Sequence, residues 1–301
     1  MKFLTHFYLS AILLTMMVSC SEELKLYHEP EAEPPKTWIV EKVNYPEKRF
    51  GLIDRNSLVF SYDDEYQMTL LAIPQSEEYK IDKLDKDKCV SYSKSRESGS
   101  TIIYDSILVK LDAGGRAMYS RHVTYKETNN EGEISKERSQ NDSVHFTYDA
   151  AGYLILMQSY SHAGDTQSRY EEEYVIENGN IKEISTSKGV NYTYTYDDTE
   201  YEPVTKYAYE MPLNTQSLKG ASCILVTNLV YISDYIGKSN KNNVLSVVAS
   251  KGGEQYAELA YAYTFDEYKL VSEVKISGTI NNQTIPDDYI TTFTYAEKTQ
   301  K

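Results

Sequence analysis

Past its first twenty residues, the chain has no apolar run approaching the ~20 residues that a helix needs to cross a bilayer. A helical span is therefore excluded from the bulk of the sequence. Cysteine is scarce: there are three, with no C-x-x-C pair, which argues against a disulfide framework and a structural zinc site. Cys89 and Cys223, the two beyond residue 20, would make at most one bridge. The five histidines include no pair at the i, i+4 spacing of a helical metal site. Neither a G-x-x-x-x-G-K-[ST] nor a G-x-G-x-x-G loop occurs, so nucleotide binding has no support, and there is no G-x-S-x-G nucleophile elbow. Positive charge is short, with 31 Lys and Arg against 45 Asp and Glu, a net charge of −14. That balance argues against nucleic acid, whose phosphates need basic side chains, and against adsorption to anionic lipid.

What is present begins at the N-terminus. Lys2 precedes an apolar stretch from Phe7 to Val18, which runs into Ser19-Cys20. A charged start, an apolar segment too short to span and a small residue before a cysteine form the layout of an export signal. It resembles a bacterial lipoprotein signal with its lipobox, Met17-Val18-Ser19-Cys20; the alternative is an ordinary secretory signal ending by chance at a cysteine. The resemblance implies removal of residues 1–19 and a lipid on Cys20, so the expected membrane contact is that anchor. Ser21-Glu22-Glu23 resembles the acidic export signal of Bacteroidetes lipoproteins, which implies an outer-membrane location facing the cell exterior.

Residues 20–36 are rich in Glu and Pro and hold little that can be buried, so they are expected to form a disordered tether. At ~3.3 Å per residue, the stretch after Cys20 reaches at most about 50 Å. Residues 37–301 are read as a single β domain, long enough to bury a core.

The strand reading rests on tyrosine. There are 29, against one tryptophan, and they recur at alternate positions, the period of a β-strand. Val190, Tyr192, Tyr194 and Tyr196 share one face, with Asn191, Thr193 and Thr195 on the other. Leu259, Tyr261, Tyr263 and Phe265 alternate similarly, as do Tyr289, Thr291, Phe293 and Tyr295. Such segments suit antiparallel strands with one face packed and one wet. Turn chemistry separates them. Tyr148-Asp149-Ala150-Ala151-Gly152 and Leu111-Asp112-Ala113-Gly114-Gly115 pair a capping Asp with glycine. Asn178-Gly179 lies between apolar flanks, a strong hairpin signal, and degenerate turns follow Tyr62-Asp63, Tyr196-Asp197 and Phe265-Asp266. The expected fold is all-β: an antiparallel meander of hairpins making a strongly curved sheet or barrel-like domain. One short helix is expected near 222–236, where Leu225, Leu229, Ile232 and Ile236 follow the helical period and Gly237 stands at the C-cap position.

The lipobox, the Tyr-x-x-Glu-Asn-Gly-Asn-Ile hairpin at 174–181, the Tyr-Asp turns and the segment Ile236-Gly237-Lys238-Ser239-Asn240-Lys241-Asn242 resemble a family of Bacteroidetes lipoproteins of unknown function described as porin-like in fold. The resemblance covers most of residues 50–296 and brings no catalytic residues. A membrane-spanning barrel needs a lipid-facing apolar band; here the faces opposite the aromatics carry Asn, Thr, Glu and Lys.

Candidate chemistry is sparse. Carboxylate clusters at Glu171-Glu172-Glu173, Asp63-Asp64, Asp197-Asp198 and Asp287-Asp288 are read as solvated faces, although two carboxylates suffice for a glycoside hydrolase. Asp82, Asp85 and Asp87 lack the glycine and terminal glutamate of a calcium loop. His122 and His145 fall in expected strands and His162 in an expected turn. No catalytic, cofactor or metal residue is assigned. Asp105-Ser106-Ile107 and Asp142-Ser143-Val144 resemble the Asp-Ser-apolar acceptor of Bacteroidetes O-glycosylation, making Ser106 and Ser143 candidate modification sites. The expected function is a non-catalytic binding or accessory domain for a glycan or surface-protein ligand. The alternatives are an architectural envelope protein or, ranked lower, a carboxylate-dependent glycoside hydrolase.

Overall fold

Alternating tyrosine, valine and threonine pair throughout this computed structural model into long antiparallel ladders. It describes residues 37–298 apart from 47–56, 74–76, 85–88, 99, 131–132, 164–165, 203 and 205–234. Residues 39–296 form one compact unit; of the other, residues 1–38 with 297–301, only Thr37, Trp38, Glu297 and Lys298 are described.

The strands are β1 (Thr37–Asn44), β2 (Ser57–Tyr62), β3 (Met68–Ile73), β4 (Glu77–Leu84), β5 (Cys89–Ser98) and β6 (Thr101–Leu111). Then come β7 (Ala117–Asn130), β8 (Glu133–Tyr148), β9 (Leu154–Ala163), β10 (Thr166–Glu177), β11 (Asn180–Thr186) and β12 (Val190–Glu200). The last are β13 (Asn242–Lys251), β14 (Glu254–Phe265), β15 (Val271–Ile280), β16 (Gln283–Thr284) and β17 (Ile290–Lys298). Each strand from β1 to β15 pairs antiparallel with the next, β15 pairs also with β17, and β17 returns to β1. The two-residue β16 adds a short rung to β15. The described strands therefore turn the expected curved meander into a closed antiparallel barrel of sixteen strands, with no free sheet edge among them.

Closure gives the two faces different fates. In β14, Ala257, Leu259 and Tyr261 are buried while Glu258, Ala260 and Ala262 are exposed; in β12, Val190 and Tyr192 are buried while Asn191, Thr193 and Thr195 are exposed. A side chain on a closed sheet loses all solvent contact only on the inner face, so the apolar phase points inward. Val43, Val90, Ile107, Val144, Val247, Leu259 and Ile276 have no meaningful exposure. Phe265 departs from its expected packed face and is exposed, because the register slips between Thr264 and Phe265. A bulge reverses every later side chain on its strand.

The turns follow their sequences. Asp149 Oδ1 accepts from Gly152 N at 2.7 Å and Tyr153 N at 2.9 Å, and Gly152 takes φ +97°. Asp112 caps Gly114 N at 2.8 Å and Arg116 N at 2.9 Å, while Asp63 and Asp266 each cap two amides in the same way. Tyr196-Asp197 is different: β12 runs on to Glu200, with register shifts after Thr195 and Tyr196, so this stretch is a strand irregularity and not a hairpin turn. The expected helix near 222–236 lies outside the described residues except for its last two positions. Tyr235 and Ile236 are described and are not helical.

Candidate functional site

The repeated tyrosines have a structural use that alternation alone does not reveal. Several hydroxyls donate to main-chain carbonyls on other strands: Tyr62 to Val40 at 2.7 Å, Tyr148 to Ala117 at 2.8 Å, Tyr196 to Ile181 at 2.5 Å, Tyr263 to Val244 at 2.6 Å and Tyr295 to Val271 at 2.6 Å. Each phenol thus buries an aromatic body and satisfies a carbonyl at once. Burial pushes the Tyr148, Tyr256 and Tyr295 hydroxyls well above the ordinary phenol range. These rings brace the barrel.

Two of the sequence motifs prove to be partners. The segment before β13 crosses one end of the hairpin ladder, where Lys238 N donates to Gly152 O at 2.9 Å and Ala117 N to Tyr235 O at 2.7 Å. Asn180 Oδ1 accepts from Lys241 N at 2.8 Å and Asn242 N at 2.9 Å, and Asn240 Oδ1 accepts from Ile181 N at 2.9 Å. The Asn-Gly-Asn hairpin and the Ile-Gly-Lys-Ser-Asn-Lys-Asn segment therefore lock together. Gly237 is required there: at φ +93°, a Cβ would sit 2.7 Å from both Gly152 O and the Tyr148 ring.

The inner face carries polar side chains at one stretch of β6 to β10. Asp105 Oδ1 accepts from Thr124 Oγ1 at 2.5 Å and faces His122 Nε2 at 3.3 Å. His122 Nδ1 has no hydrogen-bond partner among the described residues. Asp142 stands opposite His122 in register and is buried, as is Glu172, which accepts from Tyr170 at 2.8 Å and Tyr174 at 2.5 Å. Glu172, expected on a solvated face, is thus internal, and so is Asp142, whose burial sequence reasoning did not foresee. The available signal was phase: Asp105 alternates with Ile107, Val109 and Leu111, and Asp142 with Val144 and Phe146. Asp142 and Glu172 occupy different inward rows and are sealed at 1 % and 3 % exposure, so they do not make an open catalytic cleft. His162, expected in a turn, lies in β9 opposite Gln167.

The outer face of the same strands is organised otherwise. One outward row runs Lys110, Tyr119, His145, Gln158, Glu171 across β6 to β10; the adjacent row runs Leu108, Arg121, Ser143, Tyr160, Arg169. Tyr119 and His145 meet edge to face at 4.8 Å between centroids, His145 and Tyr160 at 5.8 Å, and the Arg169 guanidinium lies 5.8 Å from the Tyr160 centroid. Gln158 and Arg169 both donate to Glu171 Oε1 at 2.5 Å, and these bonds hold the Glu171 carboxyl below the usual carboxylate range. Elsewhere, a depression of about 260 Å³ lies between Tyr194, Tyr196 and the Glu177–Lys182 ion pair. It falls short of the ~300 Å³ at which pockets begin to enclose ligands.

The sequence candidates fall as follows. Ser106 is exposed on the outer face of β6, and Ser143 is half-buried between Arg121 and Tyr160; Asp105 and Asp142, the acids of both motifs, turn inward. Cys20, the tether, Cys223, Asp85 and Asp87 lie outside the described residues. No cluster of three or more His, Cys, Asp or Glu suited to a metal ion occurs among the described residues.

No protein-family model matches the chain, and no curated protein matches it. Its fold is similar to that of solved structures. A porin-like protein from Bacteroides vulgatus ATCC 8482 superposes at a TM-score of 0.50 with 11% identity, over 85% of this chain and 97% of that one. A porin-like protein from Bacteroides uniformis ATCC 8492 aligns at a TM-score of 0.30 with 14% identity, over 70% of this chain and 96% of that one. At such identities the first likeness establishes shared architecture, so the chain has a porin-like barrel fold.

Proposed function

We propose that this chain is an outer-membrane lipoprotein, tethered through Cys20, whose barrel stands outside the lipid as a non-catalytic binding or accessory module for a glycan or surface-protein ligand. The observation that carries this reading is the inverted polarity of the barrel. A barrel that crosses a membrane turns an apolar band about 25 Å tall toward lipid, flanked by aromatic girdles. Here the apolar phase is inside, and outward positions such as Asn191, Thr193, Glu258, Glu273 and Ser277 are exposed and polar. Among the described residues, the exposed large apolar side chains are spread over β6, β7, β8, β10, β13, β14 and the turn after β14. A wall of that chemistry belongs in water, which leaves the lipid on Cys20 as the membrane contact. Ser106, exposed on the outer wall, remains a proposed site of O-glycosylation, whereas Ser143 is half-buried between Arg121 and Tyr160 and is the weaker candidate of the two.

The test is metabolic labelling with a fatty-acid probe in intact cells. The expected result is a labelled protein that externally added protease digests, with Cys20→Ala unlabelled and released from the membrane. An unlabelled protein soluble in the periplasm would contradict the reading.

A further inference from the structure

We infer that the two outward rows on β6 to β10 form a binding face for a glycan whose sugars carry isolated carboxylates, an inference that rests on the binding-module reading and names its site. The face spans five strands, about 19 Å at ~4.8 Å between neighbours. It combines the two features that such a ligand needs. Tyr119, His145 and Tyr160 make a chain of aromatic contacts on the outer wall, and aromatic rings cover the C–H faces of sugars while their polar atoms reach hydroxyls. Gln158 and the Arg169–Glu171 pair add fixed amide, guanidinium and carboxylate groups at one end of the same rows.

The second feature is charge. Among these ten positions, Lys110, Arg121 and Arg169 stand against Glu171 alone, so three cations against one carboxylate leave a net +2 on a chain of net −14. Glu173 lies in the next outward row, at the rim. Lys110, Arg121 and Arg169 are exposed. A local basic island on an acidic molecule selects a ligand that is anionic at separated points. Nucleic acid, with a phosphate at every nucleotide, would extend beyond the island onto repelling surface. Leu108 is the single aliphatic residue of the ten, so the face lacks the apolar centre of a stable protein interface. Tyr104 and Tyr125, paired across β6 and β7 and both exposed, extend the aromatic wall beyond the basic rows.

The experiment uses the full mature chain with Cys20→Ser, titrated by calorimetry with hyaluronan and polygalacturonate as carboxylated probes, dextran as a neutral probe and duplex DNA as a polyphosphate probe. The inference predicts that at least one carboxylated glycan binds, that binding weakens at about 1 M salt, and that dextran and DNA do not bind. Tyr160→Ala and the double variant Arg121→Gln, Arg169→Gln should each weaken binding by roughly tenfold or more, with thermal midpoints lowered by no more than a few degrees because all three side chains stand on the outer wall. Lys251→Gln, exposed at the end of β13, should bind as the parent does. Binding of a carboxylated glycan that none of these variants alters would overturn the site. Preference for dextran would overturn the ligand class while sparing the binding-module reading. No response to either carboxylated probe overturns the inference, and a pull-down from intact cells then tests the wider reading separately.

Discussion

Gly278→Ala is expected to be among the most damaging single-methyl changes in this barrel, and the structure gives its scale. Gly278 stands in β15 opposite Leu259 of β14 at φ +123°, a region that side chains other than glycine avoid at a cost of roughly 1–3 kcal/mol. An added Cβ would lie 2.0 Å from Glu258 O, 3.0 Å from its carbonyl carbon and 3.1 Å from Leu259 Cα. All three are backbone atoms of the neighbouring strand, so no rotamer change relieves the clash and the ladder itself has to part. Losing one or two ladder hydrogen bonds there adds about 1 kcal/mol each, giving an expected loss of about 2–5 kcal/mol. Gly115→Ala is the matched control. Gly115 also has positive φ, +81°, but nothing lies within 4 Å of its added Cβ, so only the conformational cost of about 1–2 kcal/mol applies. Urea unfolding followed by far-UV circular dichroism should show a clearly lower midpoint for Gly278→Ala than for Gly115→Ala, at similar slope. Equal midpoints would refute the close strand approach at Gly278.

Alkaline stability should be governed by buried phenols. Burial raises Tyr148 and Tyr295, while burial and the hydrogen bond to Tyr192 raise Tyr256; with folded values above the unfolded value of about 10, their stabilisation is intact below about pH 10 and is lost as pH rises beyond it. Tyrosinate absorbance from these three rings should therefore develop only together with loss of the strand signal. On the acid side, burial works against the Asp112 carboxylate, but the Arg116 and Gly114 amides and the Arg116 guanidinium outweigh it and hold the group below its ordinary range. Its contribution is present above about pH 4 and fades as pH falls, so Asp112→Asn should flatten the acid limb of a stability-versus-pH curve.

Strands, turns and the inward phase were legible because each depends on local chemistry. Alternation at Val190–Tyr196 and Tyr289–Tyr295, and an aspartate that caps two amides at Asp112 and Asp149, need no distant partner to be recognised. Closure was not legible, since the pairing of β17 with β1 joins segments some 250 residues apart and nothing in either segment names the other. The buried carboxylates escaped for a related reason. Asp142 and Glu172 sit in acidic, polar stretches where composition suggests solvent, and their inward placement is fixed by register with His122 and Met157. The outer rows were equally hidden: Tyr119, His145, Tyr160 and Arg169 are separated in the chain and become neighbours only when four strands align. By contrast, the Asn-Gly-Asn and Ile-Gly-Lys-Ser segments were recognisable as motifs, but their mutual locking is a tertiary fact.

The central claim is that the barrel's outer wall faces water and not lipid. The direct measurement is to purify the mature chain with Cys20→Ala in the absence of detergent and mix it with preformed liposomes under conditions in which spanning barrels insert. The account predicts a folded, strand-rich protein that stays in solution, does not co-float with the vesicles and leaves them impermeable to small solutes. Aggregation relieved only by detergent, or insertion that protects the strands from protease and makes the vesicles leak, would contradict it.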